Sequence, residues 1–92
     1  MYGLINKLLA APGQRDELAR IIAESARDLP GCVSYVVALD SAQPDALWVT
    51  EVWPDKAAHE ASLQRPEVRA AIERGRPLVA GFALKAETEP LE

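Results

Sequence analysis

Pro44-Asp45-Ala46-Leu47-Trp48-Val49-Thr50-Glu51-Val52-Trp53-Pro54-Asp55-Lys56-Ala57-Ala58-His59-Glu60-Ala61-Ser62-Leu63-Gln64-Arg65-Pro66 reads as a strand running into a helix. Ala46 to Trp53 is rich in apolar and aromatic residues, and Pro54 ends it. Asp55 is placed to cap a helix over about Lys56 to Gln64. Two tryptophans, Glu51 and the chain's single histidine, His59, fall within this short stretch. An aromatic strand end feeding a His-bearing helix can line a small-molecule pocket.

The flanking sequence supplies the rest of the fold. Upstream of Ala46, the turn Asp40-Ser41-Ala42-Gln43-Pro44-Asp45 joins it to a second Val- and Tyr-rich strand, Cys32 to Leu39. The two form an antiparallel hairpin. Earlier still, Tyr2 to Ala10 is a strand broken by Pro12-Gly13. Gln14 to Leu29 carries Leu18, Ile21, Ile22, Ala26 and Leu29 at helical spacing and stops at Pro30-Gly31. Downstream, Pro66 interrupts the second helix and suits the first turn of another piece, about Pro66 to Arg74. Gly75 is expected to cap that piece and Pro77 to block its continuation. Leu78 to Glu87 is the last strand, followed by an acidic, frayed tail from Glu89 to Glu92. The order β-α-β-β-α-β predicts an α+β, ferredoxin-like fold: a four-stranded antiparallel sheet with helices on one face. The 92 residues are read as a single domain spanning 1–92.

These strands do not alternate apolar and polar residues as a half-wet sheet should. Val33, Tyr35, Val37 and Leu39 share one parity, with Val36 and Ala38 on the other. Leu47, Val49 and Trp53 are matched by Trp48 and Val52, and Leu78 to Leu84 has little polar relief. The helices cover one face only, so the other is read as the interface of a homodimer packed sheet to sheet.

Composition excludes several classes of function. With Lys+Arg 10 against Asp+Glu 14, net charge −4, and mixed signs along the chain, the basic stripe of a nucleic-acid binder is missing. No apolar run approaches the length of about 20 residues that spans a bilayer. Met1 to Lys7 lacks the basic leader and apolar core of a secretion signal, so the expectation is a cytoplasmic protein without membrane contact. One cysteine and one histidine cannot build a structural zinc site. Cys32 is read as a small buried hydrophobe. The glycines are scattered, with no phosphate-cradling loop and no dinucleotide fingerprint. Neither a metal nor a cofactor is expected.

Few polar side chains fall on apolar surfaces, and these are the candidate site residues. Asn6 lies mid-strand on the parity of Tyr2, Leu4 and Leu8, as a substrate-holding amide or as a satisfied buried one. Trp53 ends its strand, where its indole N–H can enter a pocket or its ring can close the core. His59 shares a helix face with Ser62 and Leu63, and histidine is the side-chain type suited to proton transfer near neutral pH; a structural or surface role is the other reading. Glu51 sits on the parity of Val49 and Trp53, paired with an arginine or functional. Arg76 is either that partner or an anion hook. Tyr35, Ser34 and Thr50 offer hydroxyls.

The chain resembles the antibiotic biosynthesis monooxygenase domain family, in particular its short stand-alone quinol monooxygenase type. The resemblance covers nearly the whole length. It runs through Tyr2-Gly3-Leu4-Ile5, Ala11-Pro12-Gly13-Gln14-Arg15-Asp16-Glu17-Leu18 and Pro30-Gly31-Cys32-Val33-Ser34-Tyr35-Val36-Val37. It continues through Leu47-Trp48-Val49-Thr50-Glu51-Val52-Trp53, Ala58-His59-Glu60-Ala61-Ser62-Leu63 and Gly75-Arg76-Pro77-Leu78-Val79-Ala80-Gly81-Phe82. It implies a dimeric α+β barrel with a pocket between each sheet and its helices. There, some members oxidise phenols or quinols with O2 and no cofactor, the substrate anion reducing O2 directly. On this resemblance Asn6 and Trp53 hold substrate oxygens and His59 moves a proton or orients the ring. Tyr35, Glu51, Ser62 and Arg76 line the substrate. Haem-degrading relatives carry a strand asparagine, a helix tryptophan and a haem-binding histidine. Asn6 matches the first, but Ser62 and Ile72 stand where the other two belong, which argues against haem degradation.

Two classes of function fit. One is a cofactor-independent monooxygenase acting on a small aromatic quinol or phenol with O2. The other is a non-catalytic dimeric module binding a small apolar molecule, with an isomerase on the same barrel as a further variant.

Overall fold

The computed structural model describes residues 1–91. Its elements are β1 (Tyr2–Ala10), α1 (Arg15–Ser25), β2 (Ser34–Leu39), β3 (Ala46–Trp53), α2 (Lys56–Ser62), α3 (Pro66–Gly75) and β4 (Val79–Thr88). A single 3₁₀ turn, Arg76–Leu78, joins α3 to β4. The four strands are antiparallel in the order β2-β3-β1-β4, a ferredoxin-like sheet whose second helix is split in two. Pro66 opens α3 at its first turn, where the missing N–H costs nothing. The Asp55 carboxylate accepts from the Ala58 N–H at 2.8 Å and caps α2.

Residues opposed across neighbouring strands share a face. Leu4, Asn6 and Leu8 of β1 oppose Glu51, Val49 and Leu47 of β3, which in turn oppose Tyr35, Val37 and Leu39 of β2. This face lies under the helices. Leu8, Ala10, Leu18, Leu47 and Val49 form its buried core, with Ile22, Tyr35, Val37 and Val79 packed around it. Gly75 makes the close approach of α3 to α1 possible: a Cβ there would sit 3.2 Å from Leu18 Cδ1.

Several boundaries differ from the sequence reading. The first helix ends at Ser25 rather than Leu29, and the chain leaves it through Asp28 and Gly31, both at positive φ (59° and 79°). The second strand starts at Ser34, leaving Cys32 in the approach, half-buried, with its thiol donating to the Ser34 carbonyl at 3.3 Å. Gly75 is not a left-handed cap. It is the last residue of α3, at φ −79°, and the 3₁₀ turn carries the chain on through Pro77. The last strand runs one residue further than expected, to Thr88, which pairs with Gly3; of the expected frayed tail, the Pro90 ring lies against Gly3, while Glu92 lies outside the described residues.

The apolar run of β4 has a cause that periodicity does not show. Its register against β1 shifts twice, between Lys7 and Leu8 and between Leu9 and Ala10. Each shift leaves one residue, Ala83 and Ala80, without an opposite number. The strand therefore changes phase, and Val79, Phe82, Lys85 and Glu87 all fall on the helix-facing side. The open face still carries Ile5, Leu9, Val52 and Trp48, together with Val36 and Leu84, which are 53% and 42% exposed.

Candidate functional site

Between the helix-facing side of the sheet and the three helices lies a cavity of about 320 Å³. Leu8, Leu18, Ile22 and Phe82 give it an apolar body, and Val68, Ala71 and Ile72 close it from α3. Five of the residues singled out from sequence border it: Tyr35, Glu51, His59, Ser62 and Arg76. Few polar groups on an otherwise apolar wall are the usual make-up of a small-molecule site.

Glu51 is the centre of the polar set. It is 7% exposed, and its Oε1 accepts from the Trp53 indole N–H at 3.0 Å. The Nε2 of His59, from α2, lies 3.8 Å from the same oxygen. No arginine or lysine among the described residues pairs with it. Arg76, read from sequence as its partner or as an anion hook, stands at the cavity edge with its side chain 72% exposed, 4.0 Å from Glu73. Burial pushes the Glu51 carboxyl above its ordinary range, opposed by the Trp53 hydrogen bond and the nearby imidazole.

The other candidates take distinct positions. Trp53 is fully buried at 0% exposure, with its N–H committed to Glu51 and its ring edge-on to His59 at 5.7 Å. Tyr2, which sequence reasoning left in the core pattern and which lies opposite Trp53 across the strands, also packs on His59 at 5.7 Å and donates its hydroxyl to Glu87 at 2.7 Å. Accepting that hydrogen is what Glu87 does best as an anion, so the Tyr2 hydroxyl is pushed up to about 12. Ser62 is buried, its Oγ donating to the His59 carbonyl at 2.6 Å. Tyr35 borders the cavity with no hydrogen bond from its hydroxyl among the described residues, and burial pushes that hydroxyl well above its usual value. Asn6 lies on the helix-facing side of β1 but does not border the cavity. Its Oδ1 is buried with no partner among the described residues.

Sequence reasoning did not single out Phe82, Ile22 or Leu29, which complete the wall. Phe82 had no signal of its own, because its face depends on the β4 shifts. Leu29 was assigned to a helix that ends before it.

Among the described residues no helix is long and apolar enough to cross a membrane. No group of three His, Cys, Asp or Glu side chains there is arranged to hold a metal ion.

No curated protein sequence matches the chain. Solved structures do. A protein from Chloroflexus aurantiacus J-10-fl, assigned by name to the antibiotic biosynthesis monooxygenases, is 53% identical, with a TM-score of 0.96 over 99% of this chain and 93% of that one. One from Deinococcus radiodurans with the same assigned name is 28% identical, with a TM-score of 0.80 over 100% and 94% of the two chains. A Pseudomonas aeruginosa protein, 22% identical over 99% and 94% of the two chains, shares the fold at a TM-score of 0.84. The family model for antibiotic biosynthesis monooxygenase matches residues 1–74, which hold Asn6, Tyr35, Glu51, Trp53, His59 and Ser62. The chain belongs to the antibiotic biosynthesis monooxygenase family.

Proposed function

We propose that this protein is a cofactor-independent monooxygenase that oxidises a small aromatic quinol or phenol with O2, working as a homodimer. The observation that carries the reading is Glu51: a buried carboxylate without a cationic partner, beside a histidine, on the wall of an apolar cavity. Family membership adds the reaction class. A cavity of about 320 Å³ is at the small end of ligand sites, about 300–1,000 Å³, which suits a compact aromatic.

The chemistry balances without an external reductant. Loss of a hydroxyl proton leaves an electron-rich anion that reduces O2 directly. For a hydroquinone becoming a hydroxyquinone, one oxygen atom enters the ring and the other leaves as water. The substrate supplies all the electrons. The protein then has to bind the ring, exclude bulk water and move protons. In this reading Tyr35, Ser62 and Arg76 contact the substrate and His59 transfers a proton. Asn6, behind the cavity lining, keeps an amide oxygen without an internal donor and is the proposed holder of a substrate oxygen only where the ligand reaches past that lining. Trp53 acts through Glu51, since its N–H is already engaged there. The open sheet face, with Val36 and Leu84 exposed, is the proposed dimer surface.

The test is O2 uptake by the chelator-treated protein with a panel of reduced naphthoquinols and polyphenols, corrected for autoxidation. Saturable uptake, lost in a Trp53→Phe/His59→Ala double variant, is the expected result. No uptake above background across the panel would overturn the oxygenase reading in favour of a ligand-binding module or an isomerase in the same cavity.

A further inference from the structure

We propose that Glu51 recognises an un-ionised hydroxyl of the ligand and takes its proton, so that the cavity accepts neutral hydroxyaromatics and rejects their carboxylated counterparts. This rests on reading the cavity as a phenol or quinol site, and it assigns the base to the sheet rather than to His59.

The two carboxylate oxygens of Glu51 are not equivalent. Oε1 is occupied: Trp53 Nε1 donates to it at 3.0 Å, and His59 Nε2 stands 3.8 Å away. Oε2 has no hydrogen-bond partner among the described residues and is not one of the buried orphaned atoms: in a residue only 7% exposed that borders the cavity, it keeps its own accessible surface. A ligand filling the cavity would strip water from that oxygen, and a ligand O–H pointing at it supplies the hydrogen bond that would otherwise be lost. An anionic ligand group in the same place does the reverse. It sets two like charges side by side in a low-dielectric pocket.

Among the described residues no lysine or arginine pairs with Glu51, and the cation on the cavity wall, Arg76, stands at its exposed edge. Tyr35 of β2 lies directly opposite Glu51, and Cys32 precedes the same strand. From β1 comes Tyr2, whose hydroxyl is spent on Glu87 of β4. From α2 comes His59, while Lys56 of that helix pairs with Glu87 at 3.2 Å. α1 contributes Leu18 and Ile22. α3 contributes Val68, Ala71 and Ile72, and just beyond it Arg76 stands exposed at the edge. Lys85 of β4 lies over the Phe82 ring at 5.3 Å.

Proton movement follows from the same geometry. The ligand O–H bond breaks and an O–H bond forms at Glu51 Oε2. The proton then leaves through His59, which faces the other carboxylate oxygen and whose side chain is 16% exposed. Burial holds the carboxyl above its ordinary range, which makes it a stronger base than a surface glutamate. Tyr35, with its hydroxyl unengaged on the same wall, supplies a donor for a second ligand oxygen.

The test uses β-naphthol and β-naphthoate, which share a ring system and differ in the group presented to Glu51. Binding is followed by calorimetry at neutral to mildly alkaline pH, with the wild-type protein and Glu51→Gln, each checked for a native unfolding transition. Expected are naphthol affinity at least about tenfold above that for naphthoate in wild type, and a loss of about tenfold for naphthol in Glu51→Gln. The preference against naphthoate should narrow in the same variant. Equal naphthol affinity of the two proteins, equal affinity of wild type for both ligands, or no naphthol binding at millimolar concentration would overturn the proposal. The readout does not depend on turnover. Glu51-dependent binding without O2 uptake would sink the oxygenase reading alone; uptake unchanged in Glu51→Gln would sink this one alone.

Discussion

His59 Nε2 and Glu51 Oε1 stand 3.8 Å apart, beyond hydrogen-bonding distance and well within Coulombic reach. The imidazole is kept there by aromatic packing. Tyr2 and Trp53 flank it, each with ring centroids 5.7 Å away. Trp53 is thus in contact with both members of the pair, through its N–H to Glu51 and its ring edge to His59. The arrangement leaves the carboxylate and the imidazole free to adjust to a third group between them.

The buried carboxylate should cost stability once it ionises. The folded-state pKa of Glu51 is raised, so its stabilising contribution is present below the unfolded value and is lost as pH rises through the folded one. Glu51→Gln keeps an oxygen for the Trp53 N–H and carries no charge. Thermal unfolding followed against pH should show the variant more stable than wild type in mildly alkaline solution, by about 1 kcal/mol or roughly 4–8 °C for a domain of this size. The two curves should meet in acid, at or below the ordinary carboxylate range. A variant that is less stable than wild type in alkali would contradict the assignment of an uncompensated buried charge.

Gly3 is buried between Val52 and Thr88, and a Cβ there would fall 2.2 Å from Thr88 Oγ1 and 3.0 Å from Pro90 Cγ. Gly3→Ala should lower stability by roughly 1–3 kcal/mol, because the end of β4 must move. Thr88→Ala, placed in the same chain, removes the nearer obstacle and should recover a measurable part of the loss. A double-mutant cycle in urea reads the coupling directly, and additive costs would mean that the two positions do not meet.

Gly81 opposes Leu9 on the open face, and nothing lies within 4 Å of where its Cβ would be. Gly81→Asp therefore adds a charge to the proposed dimer surface without a clash inside the protomer. Sedimentation at micromolar concentration should give a two-chain mass for wild type and a one-chain mass for the variant. A wild-type mass of one chain would remove the homodimer from the account.

The sheet was readable because β1 and β3 are uninterrupted and their ends are marked by Pro12, Pro54 and Asp55. The split of the second helix was readable because Pro66 fits only a first turn. The length of α1 was not, since Ala26 and Leu29 keep helical spacing after the helix has ended, and it takes the left-handed Asp28 and Gly31 to turn the chain away. At the site, residue type pointed to Glu51 and His59, but Arg76, considered as a partner for Glu51, stands exposed at the cavity edge and does not pair with it. An indole N–H two residues along the same strand takes one carboxylate oxygen and leaves the charge uncompensated, and no spacing rule announces it. Asn6 was conspicuous as an amide in an apolar strand, and its unpartnered Oδ1 keeps it so.

The two unopposed alanines of β4 have a consequence for how such a cavity diversifies. Phe82 and Val79 reach the wall because Ala83 and Ala80 shift the strand's phase, while the β1 backbone beneath them is unchanged. Losing or gaining one small residue at either place would exchange the side chains offered to the ligand for those now facing outward, with no substitution at any lining position. Relatives with the same sheet and the same helices can then differ in what they accept through the length of one edge strand. Aligning them by residue type alone would pair side chains that occupy opposite faces.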